Sequence, residues 1–255
     1  LRASNPQQWK VDLGGLPLFK ARGPTNLPQP ITARLLVARN DRFNDPNFGK
    51  LFAFFGTGAY FRTEEPANTQ VQSWYGLLAE EAAPINATRQ TLRQRGIADI
   101  QAFGGRTARS FRTAERGDMQ GRAGWYLDFD RPPPGERIVS ASVLQNLSIP
   151  ALLAVSLVPV ADDSCVPGGR SLLNAVEPFT GGGTESGVLD ANANRRFDDD
   201  KLGERFIGSV DLGVGVGTGL TLVDAGEGGL RVPLEVNLTF GATWAAAPVR
   251  PKPRS

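Results

Sequence analysis

Short apolar runs alternate with clusters of glycine, proline, asparagine and aspartate along the whole chain. The runs are rich in β-branched and aromatic residues and have the length of strands. They predict strands over Ala33–Arg39, Lys50–Phe55, Val71–Ala79, Gly124–Phe129, Arg137–Leu144, Ala151–Val158, Ser171–Val176, Arg205–Val210, Gly217–Val223 and Leu230–Phe240. Turn signals at Asn44–Asn47, Pro132–Gly135 and Gly181–Gly183 separate them. One helix is predicted over Ala87–Arg95, with Asn86 as its cap and Gly96 as its stop. The pattern is all-β and mostly antiparallel, with long loops, and its spacing suits a sandwich, a barrel or a propeller. A propeller blade takes about 40–50 residues, so this length holds roughly four blades, fewer than most closed rings need. The length itself supports one large domain or two small ones. Ala245–Ser255, with Pro248, Pro251 and Pro253 among basic residues, reads as a disordered terminus.

Composition removes most chemistry. The chain has no histidine, which excludes Ser-His-Asp and Cys-His catalysis and the commonest zinc, iron and copper ligands. Cys165 is the only cysteine, so there is no internal disulfide, zinc finger or iron–sulfur cluster. Asp162 and Asp163 beside it would raise the thiol's pKa rather than activate it. The formal charge is only +2. Arg89, Arg93, Arg95, Arg106, Arg109, Arg112, Arg116 and Arg122 form a looser basic region, without an accompanying nucleic-acid motif. A solvated face is expected there, and no nucleic-acid partner. No apolar run reaches membrane-spanning length; the longest, Ile149–Val158, is strand-sized. The chain begins at Leu1 without Met or a signal sequence, as expected for a fragment of a longer precursor.

One stretch does carry chemistry. In Asp190-Ala-Asn192-Ala-Asn194-Arg-Arg196-Phe-Asp198, side-chain oxygens recur at every second residue until a carboxylate closes the run. This spacing matches positions 1, 3, 5 and 9 of a calcium loop, with the Arg196 carbonyl at position 7. Calcium takes six to eight oxygens, and a chain curling round a point can supply them only from alternate residues. Two departures from an EF-hand are plain. Arg195 replaces the turn glycine and Lys201 the bidentate glutamate, so the site should close early, at Asp198. Asp199 and Asp200 could add field or replace Asp198 as the closing ligand. The competing reading is an Asn/Asp-rich surface turn.

Other motifs are weaker. Arg116-Gly117-Asp118 could be an integrin ligand on a loop tip, or a coincidence in an Arg- and Gly-rich chain; coincidence is favoured. Gly213–Gly219 lacks the Lys-Ser/Thr of a P-loop and reads as strand or turn. Trp9, Phe52, Phe54, Phe55, Trp74, Tyr75, Trp125 and Tyr126 read as core rather than a ligand cage. Glu64, Glu65, Glu80, Glu81 and Asp128 are glycosidase candidates only because paired carboxylates need not be neighbours.

An ordered set of segments resembles the C-terminal domain of the PilY/PilC family of type IV pilus tip adhesins and biogenesis factors. Trp9–Leu13, Pro17–Phe19 and Gln29–Thr32 resemble its blade-ending strand and the entry after it. Gly49–Phe61 is similar to its "FGTGKYF" signature, and Thr69–Gly76 to its "TQSFYGI" strand. Gly124–Asp128 and Gly135–Ser140 resemble its "GWYLDL…GERVVS" pair. Cys165, Gly168-Gly169, Ser171–Leu173 and Gly241–Trp244 match its later segments in order.

The resemblance implies a modified, quinoprotein-like β-propeller, with residues 1–244 part of one propeller domain and 245–255 a tail. It implies no enzymatic activity. It implies a calcium-responsive factor in pilus assembly, adhesion and twitching motility, exported to the pilus tip, cell surface or outer membrane with a periplasmic pool. The expected partners are minor pilins and host or abiotic surfaces. In the family a late calcium loop favours pilus extension, and Asp190, Asn192, Asn194, Arg196 and Asp198 fall on it. Two alternatives stand beside this reading: a quinoprotein-like dehydrogenase, and a secreted binding module with a purely structural calcium site.

Overall fold

A computed structural model describes residues 15–80, 87–145, 150–160, 168–213, 215–217 and 219–220, with the backbone of 236–237 and 243–244. The described residues are all-β, with two single-turn 3-10 helices, Glu65–Ala67 and Arg89–Thr91.

The first sheet is a meander of β1 (Leu36–Arg39), β2 (Leu51–Gly56) and β3 (Ser73–Leu78), extended by β7 (Gly124–Asp128) and then β4 (Arg93–Arg95). All its pairs are antiparallel except β4 with β7. The second sheet begins one residue later. β5 (Ile97–Phe103) and β6 (Arg106–Phe111) form a hairpin, followed in space by β12 (Arg205–Asp211), β10 (Gly168–Val176), β9 (Ala151–Val160) and β8 (Val143–Gln145). β11 (Lys201–Leu202) adds a short hairpin to β12. β13 (Val236–Asn237) pairs with β14 (Thr243–Trp244).

Alternation decides which face each residue takes. Phe52, Phe54, Trp74, Trp125 and Leu127 of the first sheet meet Phe111, Leu152, Ala154 and Val176 of the second in the largest core. The opposite face of the first sheet buries Phe55, Tyr75, Leu77 and Tyr126 under Phe19 and Ala21. The opposite face of the second buries Ala108, Leu153, Val155, Leu173 and Ile207 against Leu189, Ala191 and Leu202. Strands with two covered faces read as nearly continuous apolar runs, as Ala151–Val158 does with Ser156 its one polar residue.

Several expectations change. Residues 87–95 do not form a helix: one 3-10 turn gives way to β4. The segment has only Ala87 and Leu92 as buried apolar residues, too few for a helical stripe, and β4 gains backbone pairing with β7 instead. Asn86 lies outside the described residues. β5 and β6 are absent from the predicted strands, because Gln101, Ala102 and Arg106 are exposed and dilute the apolar signal. Their connection, Gly104-Gly105 at φ 57° and 79°, is a hairpin turn legible in sequence. Of Arg137–Leu144, Arg137 makes only a bridge to Leu157, and the strand begins at Val143. Most of Gly217–Val223 and Leu230–Phe240, the tail 245–255, Trp9, Glu81 and Cys165 lie outside the described residues. Among the described residues both sheets are open, and no ring of blades closes.

Candidate metal centre

The Asp190–Asp198 loop is suspended between two anchors. Leu189 and Ala191 enter the core beneath the second sheet, and Asp200 and Leu202 re-enter it. Residues 193–199 between them are exposed. The sequence folds this way because apolar residues flank the polar run on both sides and β11 turns straight into β12.

Within the loop, side-chain oxygens turn inward on the backbone. Asp190 accepts the Asn194 N–H at Oδ1 (3.1 Å) and the Arg195 N–H at Oδ2 (2.8 Å). Asn192 Oδ1 shares the Asn194 N–H at 2.9 Å, and Asn194 Oδ1 accepts the Arg196 N–H at 2.7 Å. Arg195 is left-handed at φ 68°. That is the backbone state for which an EF-hand reserves glycine at this position. The turn therefore forms with arginine in place.

Asp190, Asn192 and Asn194 are thus brought together. Asp198 stands apart, with its side chain 73% exposed and ion-paired to Arg196 at 3.1 Å. Hydrogen bonding to Arg196 holds the Asp198 carboxyl below the usual range. Arg196 would offer only its carbonyl to a metal. Asp200 is the buried carboxylate of the loop, 1% exposed. Its Oδ1 accepts the Ala191 N–H at 3.2 Å, and its Oδ2 has no hydrogen-bond partner. Burial, aided by the charges of Asp190 and Asp199, pushes its pKa up to about 6. Asn194 Nδ2 donates to Asp199 Oδ2 at 2.8 Å.

This donor set fits a hard cation. It offers carboxylate, carboxamide and carbonyl oxygens without imidazole or thiolate, and the uncompensated buried carboxylate of Asp200 lies beside it. Among the described residues no three carboxylate, thiolate or imidazole side chains converge on one point. Carboxamide and backbone oxygens would have to complete the shell.

Asp118, Asp128 and four arginines of the basic region are committed to partners within the fold. Asp118 is bound by Arg95 through both oxygens, at 2.6 and 2.9 Å, and its carbonyl accepts Arg93 Nε at 3.0 Å. Burial works to raise the Asp118 pKa, but Arg95 outweighs it and holds the group below its ordinary value. The carboxylate of Arg116-Gly117-Asp118 is therefore occupied. Arg89 pairs with Asp128 and lies over the Tyr126 ring, while Arg109 pairs with Glu136 at 2.6 Å. Arg95 and, at 3.9 Å, Arg93 share the one carboxylate of Asp118, so three carboxylates within the fold hold four arginines of the basic region. Asp128 also accepts Ser73 Oγ at 2.5 Å. Gly215 and Gly217 clasp the Ser171 hydroxyl, as a packed turn does. The aromatic residues named above from Phe52 to Tyr126 are all buried. No helix of the described residues is long and apolar enough to cross a membrane.

No family model matches the chain. It is 32% identical over 187 residues to a protein of Xylella fastidiosa (strain Temecula1) described as a type IV pilus biogenesis factor PilY1 homolog. That match covers 72% of this chain and 14% of the relative. It is 27% identical over 202 residues to the type IV pilus biogenesis factor PilY1 of Pseudomonas aeruginosa (strain PAO1), covering 71% of this chain and 16% of that one. Among solved structures, the Pseudomonas aeruginosa PilY1 C-terminal domain superposes with a TM-score of 0.67 at 23% identity. It covers 91% of this chain and 48% of that domain.

Proposed function

The chain belongs to the PilY/PilC family, spanning 14% of the first PilY1 relatives it matches, and on that premise we propose that it serves type IV pilus biogenesis as a calcium-responsive, non-enzymatic module. The observation that carries the metal reading is the Asp190 carboxylate gripping the N–H groups of Asn194 and Arg195, with Arg195 already left-handed. A loop so ordered needs little further rearrangement to present alternate oxygens.

Calcium, when bound, would supply positive charge to a loop whose carboxylates otherwise repel one another. Asp190, Asn192 and Asn194 would hold it by side chain and Arg196 by its carbonyl, with Asp198 closing once it leaves the Arg196 guanidinium. Asp199 and Asp200 lie beside the set. A partner reading this surface would bind in a calcium-dependent way by linkage. Minor pilins at the pilus tip and host or abiotic surfaces are the proposed partners, at an exported, cell-surface or periplasmic location. The roles supported would be pilus extension, twitching motility and attachment. The two open sheets would be blades of a propeller to which further sequence contributes.

Calorimetric titration with calcium tests the site. Heat is expected for the native chain and loss of it for Asp190→Ala and Asp198→Ala; equal heats for all three would remove the site. Asp190→Ala in the whole protein should lower pilus number and twitching. Normal motility with a lowered melting temperature would make the site structural only.

A further inference from the structure

A half-open groove of about 980 Å³ is lined by none of the residues of the Asp190–Asp198 loop. Its walls are the loop after β1, the turn after β6 and the segment after β10. The chain as a whole is slightly basic, yet this groove is acidic. Asp118 and Glu177 in its wall are matched by Arg95 and Arg42. That leaves Asp41, Asp45, Glu115 and Glu185 facing a single arginine, Arg116. Among the described residues Asp41, Glu115 and Glu185 have no side-chain hydrogen bond or ion pair, and all three are exposed.

Two further observations point to an occupant. Glu177 is 7% exposed and lines the groove. Its Oε2 accepts Thr180 N–H and Oγ1 at 2.7 and 2.5 Å, but its Oε1 has no hydrogen-bond donor. Arg42 Nη1 comes to 3.0 Å of that oxygen without hydrogen-bond alignment, and the Arg42 side chain is itself 36% exposed. A buried carboxylate oxygen with a poorly seated cation is a position a better-placed cation can take. On the rim, Phe43 is 82% exposed, its ring 5.5 Å from that of Phe48 in an edge contact. An exposed aromatic pair beside an acidic cleft is suited to a ligand both cationic and apolar.

We propose that this groove docks an extended, lysine- or arginine-bearing segment of a partner protein. One cationic side chain of the segment displaces Arg42 at Glu177, and a neighbouring apolar side chain packs on Phe43. The remaining carboxylates steer the segment in.

Fluorescence anisotropy with a labelled peptide alternating lysine and leucine tests this on the intact chain. Binding should be lost to a peptide carrying glutamate for lysine and weaken steeply between about 50 and 300 mM salt. Asp41→Asn, Glu115→Gln and Glu185→Gln together should weaken it by about tenfold, and Phe43→Ala by about threefold. Arg42→Ala should strengthen it, because it frees Glu177. All altered positions are on the surface or rim, and an unchanged circular dichroism spectrum verifies folding. Equal binding by the triple variant, weaker binding by Arg42→Ala, or full competition by spermine, which offers charge alone, would each overturn the proposal.

Discussion

Asp190 Oδ2 accepts the backbone N–H of Arg195 at 2.8 Å, across a turn that Arg195 itself makes at φ 68°. Carboxylate and turn support each other. The left-handed state costs a non-glycine residue about 1 kcal/mol or more, and the hydrogen bond from Asp190 helps to hold it.

Arg195→Gly should remove that cost without disturbing the bond. The expected outcome is an apo chain more stable by up to about 1 kcal/mol, read from urea melts. Calcium affinity should rise or stay level, read by calorimetry. A destabilised variant would show that the Arg195 side chain, not its backbone, holds the turn.

Gly187 is the contact through which the chain leading into the loop touches its far side. A Cβ there would lie 1.7 Å from the Phe197 carbonyl oxygen, so the backbone must move. Gly187→Ala should displace residues 196–198 and weaken calcium binding by about tenfold or more, while the signals of β9 and β10 in an NMR spectrum stay in place.

The Asp118 carboxyl titrates below its ordinary value of 3.8 in the fold, because Arg95 outweighs the effect of burial. The folded chain therefore binds fewer protons than the unfolded chain in acid. The contribution is complete above the unfolded pKa and disappears as pH falls through the lower folded one. Asp118→Asn should lower the melting temperature at pH 7, and the difference from the native chain should shrink below about pH 3. A constant difference across that range would refute the ion-pair account.

Arg109 and Glu136 are 1% and 0% exposed, paired at 2.6 Å, with Ser156 Oγ donating to the other Glu136 oxygen at 2.5 Å. Glu136→Leu alone strands a buried cation and should cost about 3–5 kcal/mol. Arg109→Met with Glu136→Leu should recover most of this. Urea denaturation of the two single variants and the double variant supplies the cycle.

The all-β class was legible because Phe52, Trp74, Trp125 and Leu152 sit in runs whose composition and length declare strands. β5 and β6 were hidden because one covered face and one wet face put Gln101 and Arg106 among few apolar residues. The failed helix has another cause. Ala87–Arg95 has a helix former's composition, but Arg93 and Arg95 are held extended by pairing with β7 and by Asp118, partners that no local window contains. In the Asp190–Asp198 loop, the alternation of oxygens is legible in the sequence, and the fold gathers Asp190, Asn192 and Asn194 around one turn. The pairing of Asp198 with Arg196 and the burial of Asp200 depend on the path of the chain into the second sheet, and spacing alone does not encode that.

Gly96 is all that separates β4 from β5, and its carbonyl accepts the Arg112 N–H at 3.0 Å. The first sheet therefore passes into the second with no slack, and a shared core fills the space between them. Neither sheet can open as a leaf while the other stays shut. Slow hydrogen exchange should report one common opening free energy for Tyr75 in the first sheet and Leu173 in the second, the behaviour of one cooperative foldon spanning both layers.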